Sequence, residues 1–503
     1  MARSVKIDPL TRIEGHLAFR VEVESNRVVE AFCSGEMFRG FEVILRDRHP
    51  MDAQQITQRI CGVCPVSHGL ASVSAQDEAY QVVPPKNGML LRNLVHACEF
   101  LMSHIIHFYH LSALDFIDIT AITQYTGNDP QLTHLKGWVQ AQLASKSLYP
   151  AAPFLPRYES KYIEDAALNL MGIKHYLDAL KIRAVCHKMA AAFGGKIPHL
   201  PSLVPGGITE KVTVDKIAAF TSMLAEVRTF IEQSYLPDVL AVAQAFPDYW
   251  EFGRGYGNFL AYGVFPESES GSAKLFPAGV VIEGKLAGLN DTAITEDVMY
   301  SLFSSQSGLS PSKGQTVPDP HKTRAYSWIK APRYNTTVME VGSLARLMVA
   351  YLGGHPTVKN LLDPLLAKLG KTPDNLVSVM GRHAARAIES KMIADRCAEW
   401  VAQLTPGEPT CKDFTIPATT RGVGLTEAAR GALGHWLEIE NGKIKNYQCV
   451  VPTTWNCSPR DDRGNPGAIE HALVGTPVAD ERNPIEAARV VRSFDPCIAC
   501  AVH

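Results

Sequence analysis

Two Cys-x-x-Cys pairs stand at opposite ends of this 503-residue chain, Cys61 and Cys64 in RICGVC and Cys497 and Cys500 in FDPCIAC. Thiolate sulfur is a soft donor that binds late first-row metals tightly, and an i, i+3 pair presents both sulfurs from one tight loop. A single ion taking all four would require the two ends of the chain to meet, a demand on topology that no local pattern makes. One such pair alone reads equally as two core thiols, a redox couple or half a zinc site. Two pairs favour a metal. Structural zinc ribbons usually close over a short stretch, so a zinc staple joining nearly the whole length of the chain would be an odd use of that ion.

Composition bounds the remaining possibilities. With 46% hydrophobic residues the chain can bury a large core. Lys+Arg number 49 against Asp+Glu 51, a net charge of -2, and no basic run or interleaved aromatic stripe suits a nucleic acid. The start, MARSVKIDPLTRIEGH, lacks the apolar segment of a signal peptide, and no uninterrupted apolar stretch reaches the roughly 20 residues that cross a bilayer, so no direct membrane span is expected. Eleven scattered cysteines are an odd number in a large chain and imply reduced or metal-bound thiols, not a small disulfide scaffold.

Periodicity supplies the elements. Leu17, Phe19, Val21 and Val23 alternate with polar residues, and a turn at Asn26-Arg27 leads into Val28–Phe32, which reads as a hairpin. Asp52 is placed to cap a helix running into the first cysteine loop. Leu94, Val95, Cys98, Leu101, Met102, Ile105, Ile106 and Tyr109 recur at helical spacing, predicting a long buried helix over 90–114; segments 163–193, 211–247 and 374–404 share that spacing. Breaker-rich stretches at 193–207 and 304–322 mark loops. Asn441-Gly442, between His435–Ile439 and Lys443–Cys449, is a strong hairpin signal. The expected fold is α+β and predominantly helical, a buried helix-bundle core with peripheral β-hairpins. It is read as one domain over 1–503: an N-terminal hairpin region at 1–50, a helical core at 51–405, and a C-terminal hairpin and metal-binding tail at 406–503.

The residues around the cysteines are more specific than the cysteines. Arg39-Gly40-Phe41-Glu42, followed by Gln58-Arg59-Ile60-Cys61-Gly62-Val63-Cys64, resembles the N-terminal signature of nickel-iron hydrogenase large subunits, and the run from Phe494 to His503 resembles their C-terminal signature. RIEGH at 12–16, KAPRY at 330–334, MEVGSLAR at 339–346, MGRHAAR at 380–386, EAARGALGHW at 427–436 and VVPTTWN at 450–456 extend the likeness over the whole chain. The resemblance implies the hydrogenase large-subunit fold. It also implies that Cys61 and Cys497 are terminal nickel ligands, with Cys64 and Cys500 bridging to an iron that carries cyanide and carbon monoxide. One branch of the family has selenocysteine at the position of Cys497, and SHIIHFYHLSALD at 103–115 resembles that branch; here the residue is Cys and the donor sulfur.

The implied chemistry is reversible heterolysis of H2 into a hydride and a proton. A bound cation acidifies a coordinated molecule, and a terminal thiolate such as Cys497 is an adjacent first base. Glu14 is the implied relay for that proton, although by itself it reads as a solvated carboxylate at the start of a strand. The resemblance sets Arg430 over the iron, where its permanent charge offsets the anionic cluster, and has Thr453 donating to a cyanide and His68 donating to the Cys64 sulfur. Apart from the family, each of these is equally a core or capping residue. Many relatives have Pro and Asp where this chain has Ala429 and Ser103, which leaves Asp495 as the expected neighbour of Arg430.

His503 closes the chain, and the resemblance implies a precursor cut after it. It further implies that His503 binds a second divalent cation, Mg2+ or Fe2+, together with Glu42 and the backbone carbonyl of Cys449. The other seven cysteines lack iron-sulfur spacing, so electrons must leave through a partner, implied to be a small subunit bearing iron-sulfur clusters. That partner often carries the export signal for both, which points to the periplasm, with the cytoplasm as the alternative. Two rival readings are a slow hydrogen sensor with a similar site and a noncatalytic protein stapled by zinc.

Overall fold

Residues 2–145 and 162–503 are described by a computed structural model. Its N-terminal strands, Arg3–Ile7, Leu17–Glu24 and Arg27–Gly35, form one antiparallel sheet whose central strand buries Leu17, Phe19, Val21 and Val23. The hairpin turn falls on Ser25-Asn26, one residue before the expected Asn26-Arg27. Both residues adopt positive φ, 52° and 59°, because a two-residue turn that matches the strand twist needs left-handed backbone at each position. Asp52 is the first residue of the Asp52–Thr57 helix, not its cap, and a tight turn over Gln58–Ile60 delivers the chain to Cys61.

The helical core is built around Lys86–Ile106, which is buried over nearly its entire circumference. The expected continuation to 114 exists, but as a wide helical turn at His107–Ser112 and a tight one at Ala113–Asp115. Ala166–Gly194 and Val379–Ala402 answer to the predicted segments. The 211–247 segment becomes Val214–Phe230 and Leu236–Ala245, joined by a wide turn at Ile231–Tyr235. The structure adds Pro65–Tyr80, which starts directly after Cys64 with Pro at its first position, where the missing N–H is no loss. Among the described residues no helix is long and apolar enough to cross a membrane.

A second antiparallel sheet, Thr420–Ala428, Gly431–Glu440 and Lys443–Val450, lies on the Pro65–Tyr80 helix. Its Asn441-Gly442 turn has φ of 53° and 73°, as that dipeptide foretold. Only glycine allows so close an approach of strand to helix: a Cβ at Gly422 would stand 2.0 Å from the Ala75 carbonyl oxygen, and one at Gly424 2.0 Å from that of Ala71.

The two chain ends are joined by backbone. Glu14 and Cys497 form a parallel bridge, with the Glu14 amide donating to the Pro496 carbonyl at 3.4 Å and the Ile498 amide to the Glu14 carbonyl at 2.8 Å. Farther along, the Val28 amide donates to Thr476, and Val478 donates to Asn26. The last residues, Cys500 to His503, are all buried. Enlarging Gly424 should separate the sheet from the helix that follows Cys64. Gly424→Val is expected to lower unfolding free energy by about 1–3 kcal/mol or more, measured by chemical denaturation.

Candidate metal centre

Each cysteine pair is delivered by a loop entering a helix. Cys61 follows the Gln58–Ile60 turn, Cys64 immediately precedes Pro65–Tyr80, and Cys497 precedes the short Ile498–Ala501 helix that contains Cys500. The four sulfurs are buried and lie within 4.8 Å of one another. Each pair faces the other across the join, with Cys61 Sγ 3.4 Å from Cys497 Sγ, Cys64 Sγ 3.2 Å from Cys500 Sγ, and Cys497 Sγ 2.8 Å from Cys500 Sγ. These spacings exceed the roughly 2.05 Å of a disulfide, and all four cysteines are free.

The protein alone can accommodate little negative charge here. Hydrogen bonds from Cys497, Cys500 and Cys64 hold the Cys61 thiol well below its ordinary value, whereas burial pushes Cys497 and Cys500 well above theirs. A thiolate at every position requires a cation among them, and four soft donors converging on one point fit a nickel-iron group.

Glu14 is half-buried against this cluster. Its Oε2 accepts from the Cys497 thiol at 3.0 Å and from the Ala499 amide at 3.1 Å. Burial and the charge at Cys61 raise its pKa, against the hydrogen bond from Cys497. Arg430 occupies the two-residue turn between Ala428 and Gly431, and its Nη2 donates to Asp495 Oδ1 at 2.9 Å while Nη1 donates to Ser103 Oγ at 3.1 Å. Burial opposes the charge on Arg430, but Asp495 and the neighbouring cysteine sulfurs outweigh it and drive its pKa up. Arg430 Nε and Asp495 Oδ2 are buried without a hydrogen-bond partner among the described residues. Thr453 Oγ1 accepts from the Cys497 amide at 2.9 Å, which leaves the Thr453 hydroxyl hydrogen free to donate.

The His68 ring nitrogen Nδ1 lies 3.2 Å from His435 Nε2, whose own Nδ1 lies 2.8 Å from the Tyr447 hydroxyl. Burial lowers the His68 pKa to about 3, so the ring is neutral and one nitrogen carries the proton.

A second cluster gathers Glu42, Cys449 and His503. His503 Nδ1 lies 2.7 Å from the Cys500 carbonyl oxygen, and its Nε2 lies 3.2 Å from Glu42 Oε1. Glu42 also accepts from the Cys449 amide at 2.7 Å and from the Thr316 hydroxyl, and pairs with Lys330 at 3.3 Å. Burial resists its ionisation, but Lys330, His503 and Thr316 outweigh it and hold the carboxyl well below the usual range. Burial keeps the Cys449 thiol protonated, which makes it a poor ligand for a hard ion.

Two supporting residues escaped sequence reasoning. Arg39 Nη2 donates to the carbonyls of Ile60 at 2.5 Å and Ala499 at 2.6 Å, tying the residue before Cys61 to the residue before Cys500. Its place in the Arg39-Gly40-Phe41-Glu42 motif was the available signal. Glu99, from the central helix, accepts from the Val66 amide at 2.7 Å, the Ser67 amide at 3.0 Å and the Ser67 hydroxyl, and so caps the helix that begins after Cys64. Nothing local marks it.

The comparisons with known proteins agree with this geometry. The family model of the nickel-dependent hydrogenases matches residues 39–503. The chain belongs to that family. This hydrogenase chain is 43% identical to the periplasmic [NiFeSe] hydrogenase large subunit of Desulfomicrobium baculatum, over 99% of its own length and 94% of that protein's. It is 36% identical to the uptake hydrogenase large subunit of Rhizobium leguminosarum bv. viciae, over 100% of its own length and 95% of the other. The solved [NiFeSe]-hydrogenase of Dm. baculatum superposes with a TM-score of 0.89 at 43% identity, covering both chains completely. That of D. vulgaris Hildenborough gives 0.89 at 41%, again over the whole of both chains. The fold is therefore that of a hydrogenase large subunit, the activity is that of an oxidoreductase acting as a hydrogenase, and the large-subunit relatives imply a small-subunit partner.

Replacing Cys64 by serine exchanges a soft donor for a hard one. Elemental analysis of purified Cys64→Ser is expected to show nickel reduced on the order of tenfold or more. Zinc as the sole metal in the unsubstituted protein would instead favour a staple.

Proposed function

We propose that this chain holds a nickel-iron centre and cleaves or forms H2 by heterolysis. Cys61, Cys64, Cys497 and Cys500 would hold the nickel, with Cys64 and Cys500 also serving an iron carrying cyanide and carbon monoxide. The observation that carries the reading is the convergence of four buried sulfurs from both chain ends. When bound, the metal pair supplies the Lewis acidity and electron-rich character on which dihydrogen separates into hydride and proton.

The chain's own residues then manage charge. Cys497 receives the proton at sulfur and passes it to Glu14 Oε2, 3.0 Å away. Arg430, anchored by Asp495 and Ser103, keeps an unpartnered Nε donor and a full positive charge beside the sulfurs, which suits it to offset anionic cyanide. Thr453 can donate its free hydroxyl hydrogen to the same ligands. His68, neutral and braced by His435, stands behind the Cys64 loop, and in this reading its other ring nitrogen would donate to the Cys64 sulfur.

Glu42, the Cys449 carbonyl and His503 would hold Mg2+ or Fe2+, the oxygen-rich set favouring a hard ion. Electrons leave to iron-sulfur clusters of a small subunit. A periplasmic location follows the Desulfomicrobium relative's name, with export directed by the partner.

Infrared spectra of the purified protein should show absorptions in the cyanide and carbonyl stretching region; a blank region would sink the iron assignment. Glu14→Gln is expected to retain both metals and lose hydrogen-isotope exchange with water, because the amide cannot take the proton. Exchange at the unsubstituted rate would remove Glu14 from the path. Arg430→Lys should keep its charge but lose the planar fork, lowering turnover on the order of tenfold or more.

A further inference from the structure

Two motifs, MEVGSLAR at 339–346 and MGRHAAR at 380–386, remain outside the centre as described above. Each contributes a buried arginine that grips backbone or ring immediately beside a residue of that centre. Arg346 Nη2 donates to the Ala429 carbonyl at 2.9 Å and Nη1 to the Ala428 carbonyl at 3.1 Å, the two carbonyls that precede Arg430. Its plane is locked by carboxylates on the other side: Nε and Nη2 donate to Glu389 at 2.5 and 2.8 Å, and Nη1 donates to Glu427 at 2.7 Å. Ser343 and His104 brace Glu389 in turn, at 2.5 and 2.8 Å.

Across the join, Arg382 Nε and Nη2 donate to the two oxygens of Glu340 at 2.8 and 2.9 Å, and its guanidinium carbon lies 3.6 Å from the centre of the Phe494 ring. Phe494 precedes Asp495, a non-glycine residue at φ 54°. Gly342 of the first motif also lies against the Arg430 turn, since a Cβ on Gly431 would meet the Gly342 nitrogen at 2.6 Å. Both motifs therefore bear on the two residues whose side chains pair at 2.9 Å, Arg430 and Asp495.

Burying five charged groups in this way is not a cheap route to stability, because desolvation offsets most of the Coulombic gain. What a saturated guanidinium does supply is direction: a rigid planar fork fixes two carbonyls and two carboxylates at once, which an ammonium cannot do. We propose that Arg346 and Arg382 are positioning residues of the metal centre. Arg346 fixes the turn that carries Arg430, Arg382 fixes the Phe494-Asp495 backbone, and together they set the placement of the Arg430–Asp495 pair beside the four sulfurs. This rests on the nickel-iron reading.

The test uses the holoenzyme purified with its small subunit, in Arg346→Lys and Arg382→Lys forms, with metal analysis and infrared spectra of the cyanide and carbonyl bands. Both variants are expected to retain nickel and iron, to show displaced bands, and to lose isotope exchange on the order of a hundredfold, the scale expected for a misplaced catalytic group. Arg333→Lys is the control: Arg333 is equally buried and paired with Asp461 at 3.0 Å, but its partners include no residue of the centre. It should lower thermal stability and leave the bands in place.

Unmoved bands in both lysine variants, or equal displacement in Arg333→Lys, overturn the proposal. Should neither variant accumulate folded, Ser343→Ala removes one support of Glu389 while keeping Arg346, and a smaller displacement is expected; unmoved bands there overturn it too. A blank infrared region in the unsubstituted protein is a different failure, that of the nickel-iron reading itself.

Discussion

Four buried thiol sulfurs within 4.8 Å of one another are incompatible with an ordinary protein interior. Burial pushes the Cys497 and Cys500 thiols well above their ordinary values, so thiolates at all four positions need positive charge among them. The arrangement makes sense only as a receptacle for cations, and that need dictates where the chain ends go. A terminus is usually the least ordered part of a domain. Here Cys500 through His503 are buried and bonded because the last two ligands cannot be presented from outside.

Gathering the ends creates a problem of charge, and most of the conspicuous buried polar residues answer it. Arg430 brings a cation to the sulfurs, Asp495 neutralises and aims it, Arg346 holds the backbone before Arg430, and Arg382 stacks on the Phe494 ring before Asp495. Arg39 works in the opposite register, joining the two cysteine loops through their carbonyls without approaching the pair. Arg39 is exposed and Glu14 half-buried, so Glu14 places a carboxylate between the cluster and the exterior, which suits the proposed proton relay.

Helices were the more legible part of the fold. The segments at 163–193 and 374–404 became Ala166–Gly194 and Val379–Ala402 because burial of one stripe or of the whole surface leaves a three-to-four residue rhythm. Where that rhythm stretched by a residue, as at His107–Ser112 and Ile231–Tyr235, the wide turns were invisible, since one extra residue per turn barely disturbs the pattern. The strand Thr420–Ala428 was missed for a related reason: it carries Gly422 and Gly424, which weaken any strand signal and are there to let a helix backbone approach.

The residues of the site divide in the same manner. Identity and spacing singled out the four cysteines, and the family signature around them added Glu42 and His503, because both are local facts. The sequence by itself also determined that the chain is globular, weakly charged and mainly helical. The Arg430–Asp495 pairing was expected from the family likeness, but only the tertiary structure decided which sulfurs face each other, that Glu14 lies 3.0 Å from Cys497, that Ser103 also bonds Arg430, and that Glu99 and Arg346 brace the loops. Those are contacts between residues tens to hundreds of positions apart, and hydrogen-bond partners at such separation are selected by packing of the whole chain, which no local periodicity encodes.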